Sequence, residues 1–77
     1  MTRPKSYTYP VVLEPLEEGV FQVYVPALPE IVTWGDDEAH ALAMAKEAIE
    51  LVVEDKLANG EPLPPLSYHQ VTVSVAA

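Results

Sequence analysis

The chain has 77 residues, 49% of them hydrophobic, with eight prolines, three glycines and no cysteine; it is long enough for one small core, and disulfides and thiolate metal sites are excluded. Twelve acidic residues against four basic ones give a net charge of -8, which repels nucleic acid and anionic lipid and attracts a basic protein. A domain of this size buries only about 60% of the surface its unfolded chain exposes, so oligomerisation is the expected support. The opening "MTRPKSYTYPVV" has no apolar run of signal-peptide length, and nowhere do eighteen apolar residues follow one another; a soluble cytoplasmic protein, away from membranes, is expected.

Residues Tyr7 to Glu14 are rich in aromatic and β-branched types and predict a first strand, with "PLEEG" as the turn after it. Val20 to Val25 alternates, Phe21, Val23 and Val25 against Val20, Gln22 and Tyr24, and predicts a second strand in an antiparallel hairpin with the first. Pro26 and Pro29 end it, and "EIVTW" predicts a short third strand broken by Gly35. Asp36 or Asp37 caps a helix running from about Asp37 to Ala58, with Glu38 placed favourably for the helix dipole. Asn59 and Gly60 close that helix and Pro62 prevents its resumption. The last run, "YHQVTVSVA", sets His69, Val71, Val73 and Val75 against Tyr68, Gln70, Thr72 and Ser74 and predicts a fourth strand. A right-handed crossover through the helix lays it beside the first. The expectation is therefore an α+β fold of order β-β-β-α-β, a single domain over residues 1–77. Its four-stranded mixed sheet, in spatial order 3-2-1-4, is covered on one face by a helix of roughly 33 Å.

The helix carries more apolar surface than one core stripe needs. At about 100° per residue, Ala45, Ile49, Val52 and Val53 fall near Leu42 and form the expected core stripe, while Met44 and Leu51 fall on the opposite side. Ala41 and Ala48 lie between, leaving a narrow polar arc of His40, Glu47, Glu50 and Glu54. Met44 and Leu51 are either scattered exposed apolar residues, which are common, or part of a second interface. If Val11, Val23 and Val25 point at the helix, Val12, Val20 and Tyr24 are left on the open sheet face, a candidate homodimer contact.

Catalytic chemistry finds little footing. Asp36, Asp37 and Glu38 could hold a divalent cation, but helix capping accounts for them, and Glu14 at a strand end is the one carboxylate available from a strand. His40 and His69 lack a positioned nucleophile: Ser6, Ser67 and Ser74 stand in no strained-turn motif. The three glycines are isolated, so there is no phosphate loop. No catalytic activity, metal or cofactor is expected.

Taken in order, "YPVVLEPLEEGVFQVYVPALPE", then "TWGD", then an Ala- and Glu-rich helix, then "GEPLPPLS" resemble the amino-terminal domain of HicB-type antitoxins. The resemblance covers about Tyr9 to Ser67 and extends into the last predicted strand. It implies a truncated ribonuclease-H-like fold and a non-catalytic module. Such a module binds a small basic HicA-type toxin, an RNA-cleaving protein with a double-stranded-RNA-binding-like fold, and masks its active site. On this chain the toxin-facing candidates are Met44, Glu47, Ala48, Leu51 and Glu54. Two positions depart from the pattern: Glu30-Ile31 replaces a Gly-Cys-like pair, and Asp37 stands where Ser or Thr often caps the helix. Many members continue into a DNA-binding domain; with the sequence ending at Ala77, no such domain and no direct nucleic-acid contact are expected. The alternative is a homo-oligomeric module with no toxin partner.

Overall fold

The computed structural model describes residues 6–64 and 69–76. Among these residues three strands form one antiparallel sheet in the order β1-β2-β3: β1 Val12–Pro15, β2 Phe21–Tyr24 and β3 Val32–Gly35, followed by one α-helix, α1, Glu38–Ala58. The register pairs Val12 with Tyr24 and Pro15 with Phe21 across the first hairpin, and Phe21 with Gly35 and Tyr24 with Val32 across the second.

Local chemistry accounts for each boundary. Between β1 and β2, Glu18 (φ 64°) and Gly19 (φ 79°) both adopt positive φ in a one-turn 3-10 segment. The Leu16 N–H donates to the Val20 carbonyl at 2.7 Å across the same turn. Continuing the register past Val12 and Tyr24 would set Val11 against Val25 and then Pro10 against Pro26, neither of which can donate to a ladder. The first strand is accordingly shorter than the predicted Tyr7 to Glu14.

Residues 25–31 do more than end a strand. The Leu28 N–H donates to the Val25 carbonyl at 2.9 Å, and the Ile31 N–H to the Leu28 carbonyl at 3.0 Å. These are two successive β-turns, each with a proline, Pro26 and then Pro29, at the position whose φ the ring already fixes. Their effect is to turn Leu28 and Ile31 inward, where Leu28 is fully buried. At the start of α1 the Asp37 carboxylate accepts from the His40 N–H at 2.7 Å. At its end the Gly60 N–H reaches the Leu57 carbonyl (3.2 Å) and the Glu61 N–H the Lys56 carbonyl (2.8 Å), with Gly60 at φ 68°. That pattern satisfies the terminal carbonyls and stops the helix.

The core has two lobes under one helix. Val23, Ala41 and Ala45 form the first, with Val11, Leu13 and Phe21 packed around them. Val25, Leu28 and Ile31 form the second, against Tyr9, Val11, Ala48, Ile49 and Val52. Complete burial of Val23, Val25 and Leu28 contributes about 1.5–3 kcal/mol each. Small residues let the helix approach closely. A Cβ placed on Gly35 would stand 2.5 Å from the Ala41 Cα and 2.8 Å from the His40 carbonyl carbon, closer still to the Ala41 nitrogen.

Two expectations are corrected. The four-stranded mixed sheet in order 3-2-1-4 is not what forms: the sheet has three strands and is antiparallel throughout. Residues 69–76 are in no strand, and Val71, Val73 and Val75 are 84%, 79% and 86% exposed; Tyr68, the first residue of that predicted strand, lies outside the described residues. Alternation says that a segment has an apolar face, but it does not supply the neighbouring ladder that would hold it. Of the predicted core stripe of the helix, Ala45, Ile49, Val52 and Val53 face the core, and Leu42 does not. Ala41 is fully buried while Leu42 is 48% exposed, because the close approach at Gly35 selects the smaller side chain.

Candidate interaction surface

An unbroken helix over residues 38–58 places side chains three and four apart on one stripe. Met44, Glu47, Ala48, Leu51 and Glu54 therefore share a face of α1. Met44 and Ala48 are half-buried along its margin, whereas Glu47 and Glu54 are exposed on either side of Leu51, itself 61% exposed. Neither of those glutamates is in an ion pair among the described residues; the cations of the helix are engaged elsewhere, Lys46 with Glu50 at 4.0 Å and Lys56 with Glu30 at 3.6 Å. An exposed leucine framed by unneutralised carboxylates suits a basic surface with an apolar spot, since opposite charge steers the encounter and the apolar contact holds it.

The sheet face turned away from α1 is a second surface. Because Leu13 and Val23 point into the core, their neighbours point outward. Read across the three strands, one outer row is Val12, Tyr24, Val32 and the next is Glu14, Gln22, Trp34. Val12 and Tyr24 are thus brought together as cross-strand neighbours. Val20 is not: it precedes β2, half-buried, outside the ladder. Val32 (58% exposed) and Trp34 (62% exposed) complete the face and were missed from sequence. Their i, i+2 spacing in "VTW" was the available signal. On this face the Tyr24 phenol is held above its ordinary value near 10, first by burial and then by the Glu14 carboxylate, which opposes a second negative charge and accepts the phenol's hydrogen bond.

The acidic cluster is a helix cap in geometry. Asp37 bonds the His40 N–H, the Asp36 N–H donates to His40 Nδ1 at 3.0 Å, and the Asp36 carboxylate lies 3.7 Å from the same nitrogen. Among the described residues no three His, Cys, Asp or Glu side chains are grouped so as to hold a metal ion. His69 is exposed and lies far along the chain from His40, whose Nδ1 is engaged by the Asp36 N–H. Among the described residues no helix is long and apolar enough to cross a membrane.

Comparison with known proteins connects these surfaces to a family. The model of the HicB-like antitoxins of bacterial toxin-antitoxin systems matches residues 9–75. Antitoxin HicB 1 of Photorhabdus laumondii is 40% identical over 95% of this chain and 50% of its own length. Antitoxin HicB of Escherichia coli K12 is 37% identical over 90% of this chain and 55% of its own length. The chain spans about half the length of those two relatives. UPF0150 protein Ta0767 of Thermoplasma acidophilum, 35% identical over 84% of this chain, is matched over 94% of its own length. No solved structure matches significantly. With a family match over most of its length and relatives of this similarity, the chain belongs to the HicB-like antitoxin family of bacterial toxin-antitoxin systems.

Proposed function

We propose that this chain binds a HicA-type RNA-cleaving toxin and neutralises it by covering the toxin's basic active surface, acting by occupancy and without catalysis or cofactor. The observation that carries the proposal is the acidic face of α1: Glu47 and Glu54 flank Leu51 on a chain of net charge -8 that belongs to an antitoxin family. Electrostatic attraction between that face and an RNA-binding surface raises the association rate, and Leu51, with Met44 and Ala48 beside it, supplies the apolar contact that slows release.

The test is a binding titration against a purified HicA-type toxin. The association rate is expected to fall steeply between low and high salt, because screening acts on exposed charges first. Leu51→Glu is expected to weaken the complex by roughly 10- to 100-fold, chiefly through faster dissociation. Salt-independent association, together with an unchanged affinity for Leu51→Glu, would remove both the electrostatic and the helix-face parts of the proposal.

A further inference from the structure

Helix α1 runs out through "ANGEP", and Asn59 in that stretch is the only asparagine of the sequence. It is the residue on which the helix ends, at φ -91° and ψ 3°, and both it and Gly60 are exposed. Its side-chain amide donates to the Asp55 carboxylate at 3.2 Å, while the Gly60 and Glu61 N–H groups donate to the carbonyls of Leu57 and Lys56 at 3.2 and 2.8 Å. A glycine in the next position leaves the following main-chain nitrogen without a side chain to shield it. The residues of α1 after Val53 are exposed apart from the half-buried Lys56. The core therefore does little to hold this turn, and helix ends open far more readily than helix interiors.

We propose that Asn59 is a self-modification site, at which the chain converts its own asparagine to aspartate and isoaspartate with water as the one co-reactant. The Gly60 nitrogen attacks the Asn59 side-chain carbonyl carbon and a five-membered imide forms. The bond from that carbon to Nδ2 breaks, and the nitrogen leaves as ammonia with the proton given up by the Gly60 N–H. Water then opens the ring at either carbonyl and returns a proton to the Gly60 nitrogen. At ψ 3° that nitrogen is turned away from the side chain, so closure needs rotation about the Asn59 Cα–C bond, which breaks the Gly60 and Glu61 hydrogen bonds to Leu57 and Lys56. The last turn is thus a brake on the reaction and not a bar to it. The product also releases the brake. A carboxylate replaces the amide donor beside Asp55, at the helix end where the main-chain carbonyls already disfavour negative charge. Isoaspartate in addition lengthens the main chain by one methylene within the turn. The site lies beyond Glu54, the last residue of the toxin-facing stripe, but next to the tie between Lys56 and Glu30 at 3.6 Å, so opening of this turn loosens the joint between α1 and residues 25–31.

The experiment is incubation of the full chain at mildly alkaline pH, native and in denaturant, followed by intact mass, peptide mapping and labelling with an isoaspartyl methyltransferase. The native parent is expected to gain a single mass unit and one negative charge, mapped to Asn59, and to become a substrate for the methyltransferase, while Asn59→Gln gains neither. Because two exposed main-chain hydrogen bonds must open first, the native rate is expected to be roughly 5- to 100-fold below the denatured one. Asn59→Asp, the first of the two products, is expected to melt about 2–6 °C below the parent. The proposal fails if the denatured chain is modified and the native chain is not, or if Asn59→Gln is labelled as the parent is. An Asn59→Asp chain that melts with the parent would overturn the release of the turn. Should Asn59→Gln prove unfolded, the peptide map of the native parent still assigns the site.

Discussion

Replacing Gly35 with alanine tests how the sheet and helix are joined. Gly35 is the last residue of β3 and is paired with Phe21. The added methyl would fall on main-chain atoms of His40 and Ala41, with the Ala41 Cα at 2.5 Å. These are backbone atoms in the first turn of α1, so no side-chain rotation relieves the clash. The helix must lift away from the sheet, separating Ala41 from Val23 in the first lobe of the core. Overpacking costs about 3 kcal/mol at the upper end of its usual range. At about 2.1 cal/mol/K per residue, the unfolding entropy of 77 residues is roughly 160 cal/mol/K, so the melting temperature should fall by about 15–20 °C. Gly19→Ala is the control. Unlike Gly35 it stands in the left-handed region, at φ 79°, but a methyl there meets nothing within 4 Å, so it should cost about 1 kcal/mol or roughly 6 °C. Thermal melts followed by circular dichroism at 222 nm distinguish the two. Equal shifts for both variants, or a Gly35→Ala chain that melts with the parent, would mean that the strand and helix are not held at this contact.

Asp37→Ala, which removes the acceptor of the His40 N–H, should cost about 1 kcal/mol and lower the melting temperature by roughly 6 °C, whereas a shift below 1 °C would show that the cap contributes nothing. The Tyr24 phenol, raised by burial and by Glu14, should ionise above its ordinary value in an ultraviolet titration, and Glu14→Gln should bring it part of the way down; an unchanged titration in that variant would count against the Glu14 contribution. Because the folded phenol holds its proton more tightly than the unfolded one, its stabilising contribution is full below the unfolded value near 10 and is lost as the pH rises through the folded value. With magnesium or manganese the purified chain should leave RNA intact, since Asp37 is committed to the helix cap. Cleavage that survives repurification and disappears in Asp36→Asn plus Asp37→Asn would overturn that assignment.

The hairpin, the third strand and both helix ends were legible because each rests on a local preference: alternation in Val20 to Val25, an acid before the helix, an Asn-Gly pair after it. What was not legible depended on spacing between elements. The burial of Ala41 in place of Leu42 turned on how close the backbone of β3 comes to the helix, and a glycine in sequence does not announce a backbone contact as opposed to a simple break. Pro26 and Pro29 were read as breakers, and their part in burying Leu28 and Ile31 required seeing two turns in succession. The Glu30-Ile31 departure also becomes intelligible only in three dimensions, where Ile31 fills the second lobe and Glu30 meets Lys56. Of the candidate surfaces, the helix stripe followed from spacing alone. The sheet face was only half found, because Val32 and Trp34 become neighbours of Tyr24 through register, which no single segment contains.

The position of Trp34 gives the molecule a built-in optical label. It is the only tryptophan in the chain, and it stands on the open sheet face, while the helix stripe proposed for the toxin carries no aromatic side chain. Indole emission moves to shorter wavelength when water leaves the ring. A ligand seated on α1 should therefore leave this chain's fluorescence maximum where it is, and one seated on the sheet should shift it to the blue. With a partner lacking tryptophan, a single emission spectrum then reports which side of the domain has been covered, without any substitution or dye.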